Sequence, residues 1–111
     1  MFSLGAHFDW IKLQLVRALE CFEKYQGALT VTECIALTTL ADWELEKVVN
    51  EYRAFPREEG MTAWLATTYP QAYIDAQIQQ QQILLPLHIQ SQLPLENLTL
   101  QQLKNTISSL P

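Results

Sequence analysis

Residues 30–53, TVTECIALTTLADWELEKVVNEYR, contain the two sharpest helix starts in the chain. Thr30 and Glu33 have the spacing of a capping box, in which each side chain accepts a hydrogen bond from the backbone amide of the other residue. Two threonines at 38–39 interrupt the next apolar pattern with poor helix formers. Asp42 then has the character of an N-cap for another helix. The stretch therefore predicts a helix, a tight turn and a second helix.

An amphipathic helix over residues 8–25 precedes this stretch. Its apolar residues recur at steps of three and four, which places them on one helical face. They are Phe8, Ile11, Leu15, Leu19 and Phe22. Gly27 is well placed to end the helix, and residues 1–7 read as a frayed lead-in.

The helix after Asp42 has its own apolar stripe and should end before Pro56. The stripe consists of Leu45, Val48, Val49 and Tyr52. Residues 55–60, FPREEG, predict a loop, because Pro56 disfavours helix at the residue before it. A short turn of helix is expected at residues 62–67.

A Gln-rich helix should begin at residues 69–70, with Thr68 as its N-cap and Pro70 in its first turn. We expect it to run to about Leu85 and to stop near Pro86. Its glutamines at 77 and 79–82 are interpreted as a solvated face.

A C-terminal amphipathic helix is predicted from a second capping box, formed by Thr99 and Gln102. Its stripe consists of Leu100, Leu103, Ile107 and Leu110. Such a helix docks either on the core of its own chain or on a second copy of the protein.

These segments together predict an all-α fold in a single domain of residues 1–111, because no run alternates as a strand would. We expect a three-helix core of helix-turn-helix type at residues 8–55. A helical extension at residues 61–111 then carries the Gln-rich helix and the C-terminal amphipathic helix.

The composition describes a folded acidic protein. Twelve Asp and Glu against seven Lys and Arg give a net charge of -5, and 49% of residues are hydrophobic. No signal peptide or membrane span is apparent, so we expect a cytoplasmic location and no membrane partner. Cys21 and Cys34 lack CxxC spacing, and buried free thiols are favoured over a disulfide.

The capping pattern and the apolar positions after it resemble the helix-turn-helix core of winged-helix regulators. The matching residues are Leu29, Thr30, Glu33, Ala36, Leu40, Asp42, Leu45 and Val48. In that family the third helix reads the major groove of DNA. The resemblance therefore implies DNA contacts by Lys47, Asn50, Arg53 and Arg57.

Two features of the sequence depart from a DNA-reading member of that family. Acidic residues on the third helix outnumber the basic ones, and a net negative charge repels phosphates. The acids are Asp42, Glu44, Glu46 and Glu51, against Lys47 and Arg53. The two strands of a wing would have to come from FPREEGMTAW, which has little β-branched content. Nucleic acid is therefore not the partner that we expect.

Trp43 is the aromatic residue that best fits a binding role. Most aromatic side chains are expected to fill the core at helix crossings. Trp43 instead lies at the start of the third helix, outside the stripe of that helix. An exposed Trp there is a candidate anchor for a protein interface.

The sequence predicts no enzyme, cofactor or metal site. His7 and His88 are remote from each other, no HExxH or paired-cysteine spacing occurs, and three scattered glycines make no phosphate loop. No nucleophile and base pair stands out.

We therefore expect a small acidic protein-binding adaptor or regulatory subunit, either monomeric or a homodimer. The candidate protein-binding residues are Trp43, Glu46, Lys47, Asn50, Leu103 and Ile107. The competing hypothesis is a DNA-binding transcriptional regulator that uses the helix around residues 43–53, through Lys47, Asn50, Arg53 and Arg57.

Overall fold

A computed structural model describes residues 4–25, 29–54, 60–93 and 98–110. Within these ranges the chain forms six α-helices and no strand, so the all-helical prediction is confirmed. The helices are α1 (Leu4–Lys24), α2 (Val31–Leu37), α3 (Asp42–Ala54), α4 (Met61–Thr68), α5 (Pro70–Ser91) and α6 (Leu100–Ser109). Predictions for Gly27, Pro56 and Arg57 fall outside the described residues.

Both predicted capping boxes are present. Thr30 Oγ1 accepts from the Glu33 amide at 3.1 Å, and Glu33 Oε1 accepts from the Thr30 amide at 2.9 Å. Thr99 and Gln102 repeat the pair of bonds at 3.1 and 2.9 Å at the start of α6. Each box satisfies two backbone groups at its helix end, so α2 and α6 begin where the local sequence dictates.

The starts of α1 and α3 differ from the predictions. α1 begins at Leu4 rather than Phe8, so Gly5 is tolerated inside its first turn. Asp42 is the first residue of α3 and not its N-cap, because the Leu45 amide bonds to the Ala41 carbonyl at 2.9 Å. The Asp42 carboxylate still lies at the positive end of the α3 dipole.

The α4–α5 connection is shorter than predicted, and α5 is longer. Thr68 ends α4, and Tyr69 alone separates the two helices, so Tyr69 and not Thr68 is the N-cap residue of α5. The helix also continues through Pro86 to Ser91, which corrects the predicted break. The aliphatic residues around the proline are buried, and their burial offsets the lost backbone hydrogen bond. They are Ile83, Leu84 and Leu87.

One hydrophobic cluster draws residues from all six helices. α1 contacts α2 and α6, and α5 contacts α2 and α4, so α2 lies between the first and fifth helices. The largest fully buried side chains include Ile11, Ile35, Met61, Ile83 and Leu103. Every helix is therefore held by an apolar face rather than by its own propensity.

Two sets of side-chain hydrogen bonds connect the helices, one buried in this cluster and one partly buried. Gln79 Nε2 donates to Gln14 Oε1 at 3.1 Å and to Thr38 Oγ1 at 3.0 Å, and all three residues are buried. Arg17 donates to the backbone carbonyls of Thr38 and Leu40 at 3.0 and 3.1 Å. These bonds fix the α2–α3 turn against α1 and α5, because a buried polar group without a partner is costly.

Candidate protein-interaction surface

The outer face of α5 carries a row of exposed aliphatic side chains, here called the α5 stripe. Its members are Ile74, Ile78, Leu85 and Ile89, which are 49%, 51%, 50% and 69% exposed. At 3.6 residues per turn, their spacing places all four within about 60° of helical arc. They lie on one side of the helix, and the exposed Gln81 and Gln82 occupy the turn between Ile78 and Leu85.

The opposite face of α5 fixes the direction of the stripe. Ala76, Gln79, Ile83 and Leu87 are buried against the rest of the protein. Gln79 is hydrogen-bonded to Gln14 of α1, which sets the rotation of α5 about its axis. Because buried residues occupy one side, the stripe cannot rotate into the core without breaking this bond.

Asp75, the exposed neighbour of Ile74, is the last charged residue of α5. No Asp, Glu, Lys or Arg occurs between residues 76 and 93, although the whole chain has a net charge of -5. The exposed neighbours of the stripe include Gln81 and Gln82. An apolar row flanked by amides is a surface that a partner can cover with little charge desolvation.

α1 also carries exposed apolar side chains. Leu13 is 56% exposed and Trp10 is 37% exposed. The turn of α1 that carries them includes Gln14, and Gln14 is bonded to Gln79 next to Ile78. These exposed side chains are therefore on the helix that bonds to the buried face of α5 through Gln14.

A second exposed face lies on α3. The structure places Trp43, Glu46, Lys47 and Asn50 together on this face, opposite the buried Leu45, Val48 and Val49. Trp43 is 69% exposed, as its position outside the stripe of α3 predicts. Its role in binding stays a prediction.

The structure corrects the placement of Leu103 as a partner-binding residue. Leu103 is fully buried in the hydrophobic cluster, and α6 contacts α1. Ile107 is half-buried against the same cluster. Of the two arrangements that the sequence allows, α6 therefore docks on its own chain, and Leu103 is not available to a second copy.

The residues of the DNA-binding alternative are only partly described. Lys47, Asn50 and Arg53 are all exposed along α3, whereas Arg57 lies outside the described residues. Glu46 lies on the same exposed face. Residues 61–64 of the segment proposed for the wing lie in α4 and do not form a strand.

A cavity of about 190 Å³ opens between α1, the α2–α3 turn and the start of α3. Cys21 lines it together with four charged residues, Arg17, Glu20, Lys24 and Asp42. A hydrogen bond from the Cys34 thiol lowers the pKa of Cys21, with a smaller contribution from Lys24 and Arg17 and an opposing one from burial. The same bond and burial raise the pKa of Cys34.

Sequence reasoning identified Trp43 but missed the α5 stripe. The glutamines at 77 and 79–82 were interpreted as the solvated face of a helix ending near Leu85, which left Ile89 outside it. That interpretation is wrong for Gln79, which is buried and bonded to Gln14. The available signal was the 4, 7, 4 spacing of residues 74, 78, 85 and 89. It is offset from the spacing of the buried residues 76, 79, 83 and 87.

Neither a metal cluster nor a membrane-spanning helix is found in the described part of the chain. No three or more His, Cys, Asp or Glu side chains there are grouped to hold a metal ion. None of its helices is long and apolar enough to cross a membrane. Comparisons of the chain with protein-family models, curated proteins and solved structures give no match.

Proposed function

We propose that this chain is a protein-binding adaptor or regulatory subunit without catalytic activity, which binds its partner through the α5 stripe. The single observation that carries the proposal is the row of four aliphatic side chains, each about half exposed or more, on one face of α5. Exposed apolar side chains aligned on one helix face and flanked by polar residues are typical of interaction sites. A cytoplasmic location is part of the same proposal.

The partner that fits the stripe is a helix with its own apolar face. Ile78 and Leu85 are seven residues apart, and Ile74 lies four residues before Ile78, which is the spacing of a helix-packing seam. A second copy of this chain meets the requirement, because α5 itself is such a helix. Two copies that pack through Ile78, Leu85 and Ile89 meet along a part of α5 without acidic residues, since α5 has no Asp or Glu after Asp75.

The size of the stripe predicts that it does not bind alone. Burying the exposed halves of four aliphatic side chains supplies roughly 3–6 kcal/mol. The loss of translational and rotational freedom costs about 4 to 15 kcal/mol. We therefore infer that a stable complex also covers other exposed apolar side chains, for which Leu13 and Trp10 of α1 are the candidates.

The α3 face is the second contact surface of this proposal. Trp43 is its anchor, with Glu46, Lys47 and Asn50 as polar neighbours. We also propose that α1, α2 and α3 form a core of helix-turn-helix type. The capping box at Thr30, the four-residue connection at 38–41 and the support of that turn by Arg17 favour it.

DNA binding through α3 is the competing function. The exposure of Lys47, Asn50 and Arg53 favours it, and the acidic groups on the same helix oppose it. A fluorescence titration with duplex DNA at low salt separates the two functions. Tight binding that weakens steeply as salt is raised would contradict the protein-binding proposal.

The direct test is a matched pair of charge insertions at the end of α5. Ile89→Glu and Gln90→Glu place one carboxylate each on adjacent exposed residues in the same helical turn. Only the first lies on the stripe, and both are near the helix C-terminus, so any dipole penalty is shared. Each variant is compared with the native chain by sedimentation velocity and by binding to partners from the native cell.

The expected result is that Ile89→Glu weakens the complex at least tenfold, whereas Gln90→Glu binds as the native chain does. The complex is either a dimer of this chain or a heterocomplex, and both are measured. Equal binding by the two variants would contradict the proposal.

A further inference from the structure

The α5 stripe is symmetric about its own midpoint. Its centre is the exposed glutamine pair at residues 81–82. Ile78 lies three residues before this pair, and Leu85 lies three residues after it. Ile74 and Ile89 lie four residues further out on the two sides. The exposed face of α5 is therefore polar in the middle and apolar outward in both chain directions.

A row with this symmetry matches itself when a second α5 lies across it in the opposite direction. A twofold axis through the glutamine pair makes every contact reciprocal, so that a residue of one copy meets the residue at the same distance on the other side of the midpoint. Ile78 of each copy then lies opposite Leu85 of the other, and Ile74 lies opposite Ile89. All four aliphatic side chains of the stripe thereby gain an apolar counterpart.

The position of Asp75 favours the antiparallel direction over the parallel one. Asp75 is exposed beside Ile74 and is the only acidic residue of α5. A parallel pair brings the two Asp75 carboxylates to the same height. An antiparallel pair separates them by 13 residues along the axis, or about 20 Å at 1.5 Å per residue. This distance exceeds the screening length of about 8 Å at physiological ionic strength, so their repulsion is largely removed.

We propose that the occupant of the α5 stripe is a second copy of this chain, bound as an antiparallel α5–α5 pair whose twofold axis passes between Gln81 and Gln82. This inference rests on the proposed function of the stripe as a binding site. A net charge of -5 makes two copies repel each other, and residues 76–93 are a charge-free stretch through which they can still approach.

The central glutamines give the pair its register. Each amide carries donors and an acceptor, so Gln81 and Gln82 can each hydrogen-bond to the same residue of the other copy beside the axis. A slip by one helical turn places these amides against aliphatic side chains, which costs free energy because the amides lose their partners. One polar site within an apolar seam is a known determinant of register in paired helices.

The pair is small, so we expect a weak dimer. Each copy contributes four partly exposed aliphatic side chains and two glutamines. Interfaces below about 1,200 Å² in total belong to weak and transient complexes. We expect a dissociation constant of roughly 1–100 μM. In sedimentation velocity, the mass of the native chain should rise from 12.8 kDa towards twice that value as concentration passes through this range.

Disulfide crosslinking of cysteine substitutions on the stripe tests the direction of the pair. Gln81→Cys places a thiol beside the axis and should crosslink to its own copy under copper-catalysed oxidation. Ile74→Cys and Ile89→Cys should each remain largely monomeric alone, because 15 residues, or about 22 Å, separate the two like thiols. An equal mixture of these two variants should give at least tenfold more crosslinked dimer, with one chain of each. The native chain, whose Cys21 and Cys34 are buried, is oxidised in parallel as the control.

The possible failures of the inference are distinguishable from one another. Crosslinking of Ile74→Cys to itself would overturn the antiparallel direction, because a parallel pair brings residue 74 against its own copy. A native chain that sediments as a monomer up to millimolar concentration would overturn the second copy as the occupant, and so would a dimer that Ile89→Glu does not weaken.

The proposed function has a separate readout. It stands without the dimer if Ile89→Glu, and not Gln90→Glu, weakens binding to a different protein from the native cell. If neither self-association nor that binding responds to Ile89→Glu, both the dimer and the proposed function are overturned.

Discussion

Gln79 donates a 3.1 Å hydrogen bond to Gln14 across 65 residues of sequence, and it thereby fixes which face of α5 points outward. Ile78, the residue before Gln79, is 51% exposed, whereas Gln79 is buried. The interior bond and the exposed stripe are consequences of the same helix rotation. The polar interior therefore determines the apolar surface that we propose as the binding site.

Replacement of Gln79 should destabilise the fold. Gln79→Leu leaves Gln14 buried without its partner, and we expect a loss of about 1–3 kcal/mol in the free energy of unfolding. The double variant with Gln14→Leu should lose less than the sum of the single variants, because no unpaired amide is left between them. Urea denaturation measures all three, and strict additivity would contradict the coupling.

Leu103→Ala tests the docking of α6 on its own chain. Leu103 is fully buried, so the substitution should cost about 2–5 kcal/mol of stability. Ile107→Ala, at a half-buried position one turn later, should cost less. Light scattering should give the same mass for both folded variants as for the native chain. A drop in mass for Leu103→Ala alone would indicate that α6 forms part of a dimer interface and would contradict its docking on its own chain.

Truncation to alanine should cost much more stability at Trp64 than at Trp43. Trp64 is buried and makes edge contacts with Tyr52 and Tyr69, with ring centroids 5.5 and 5.8 Å apart. Trp64→Ala should therefore cost about 3–5 kcal/mol of stability. Trp43→Ala should change stability by less than about 0.5 kcal/mol, because Trp43 is exposed. Thermal unfolding distinguishes the two, and a large loss for Trp43→Ala would show that it packs within the chain.

Tyr69 should make stability depend on alkaline pH. Its hydroxyl donates to the Glu51 carboxylate, and this bond raises the pKa of Tyr69 above its ordinary value of 10.0. The contribution of this bond to the free energy of unfolding is complete at pH values below the pKa of Tyr69 in the unfolded chain. It is lost as pH rises through the pKa of Tyr69 in the folded chain, because the unfolded tyrosine ionises first. Glu51→Gln should lower the pKa of Tyr69, measured by absorbance at alkaline pH. A titration unchanged by Glu51→Gln would contradict this bond.

Local signals in the sequence were sufficient for the helix starts that depend on adjacent residues. The capping boxes at Thr30 and Thr99 are complete within four residues, so tertiary structure had little to change. The predicted helix end at Pro86 was wrong because tertiary packing, and not the local sequence, decides the structure there. Its local preference is to end a helix, and the burial of Leu84 and Leu87 on both sides overrides that preference.

The candidate surface was harder to predict than the fold. Ile74, Ile78, Leu85 and Ile89 have the composition of a core, and their spacing identifies one face without deciding whether that face or the one with Ile83 and Leu87 is buried. Leu103 was assigned to a partner from a helical stripe that fits its own core equally well. The periodicity of a stripe identifies a face, and long-range contacts such as Gln79–Gln14 decide which face is inside.

The most direct measurement is site-specific photo-crosslinking on the stripe in the native cell. p-Benzoylphenylalanine is placed at residue 78 or 89, and at residue 108 on α6 as an exposed control. We predict strong adducts, to a second copy or to another protein, from residues 78 and 89 and not from residue 108. Adducts of equal strength from residue 108, or none from the α5 stripe, would contradict the account.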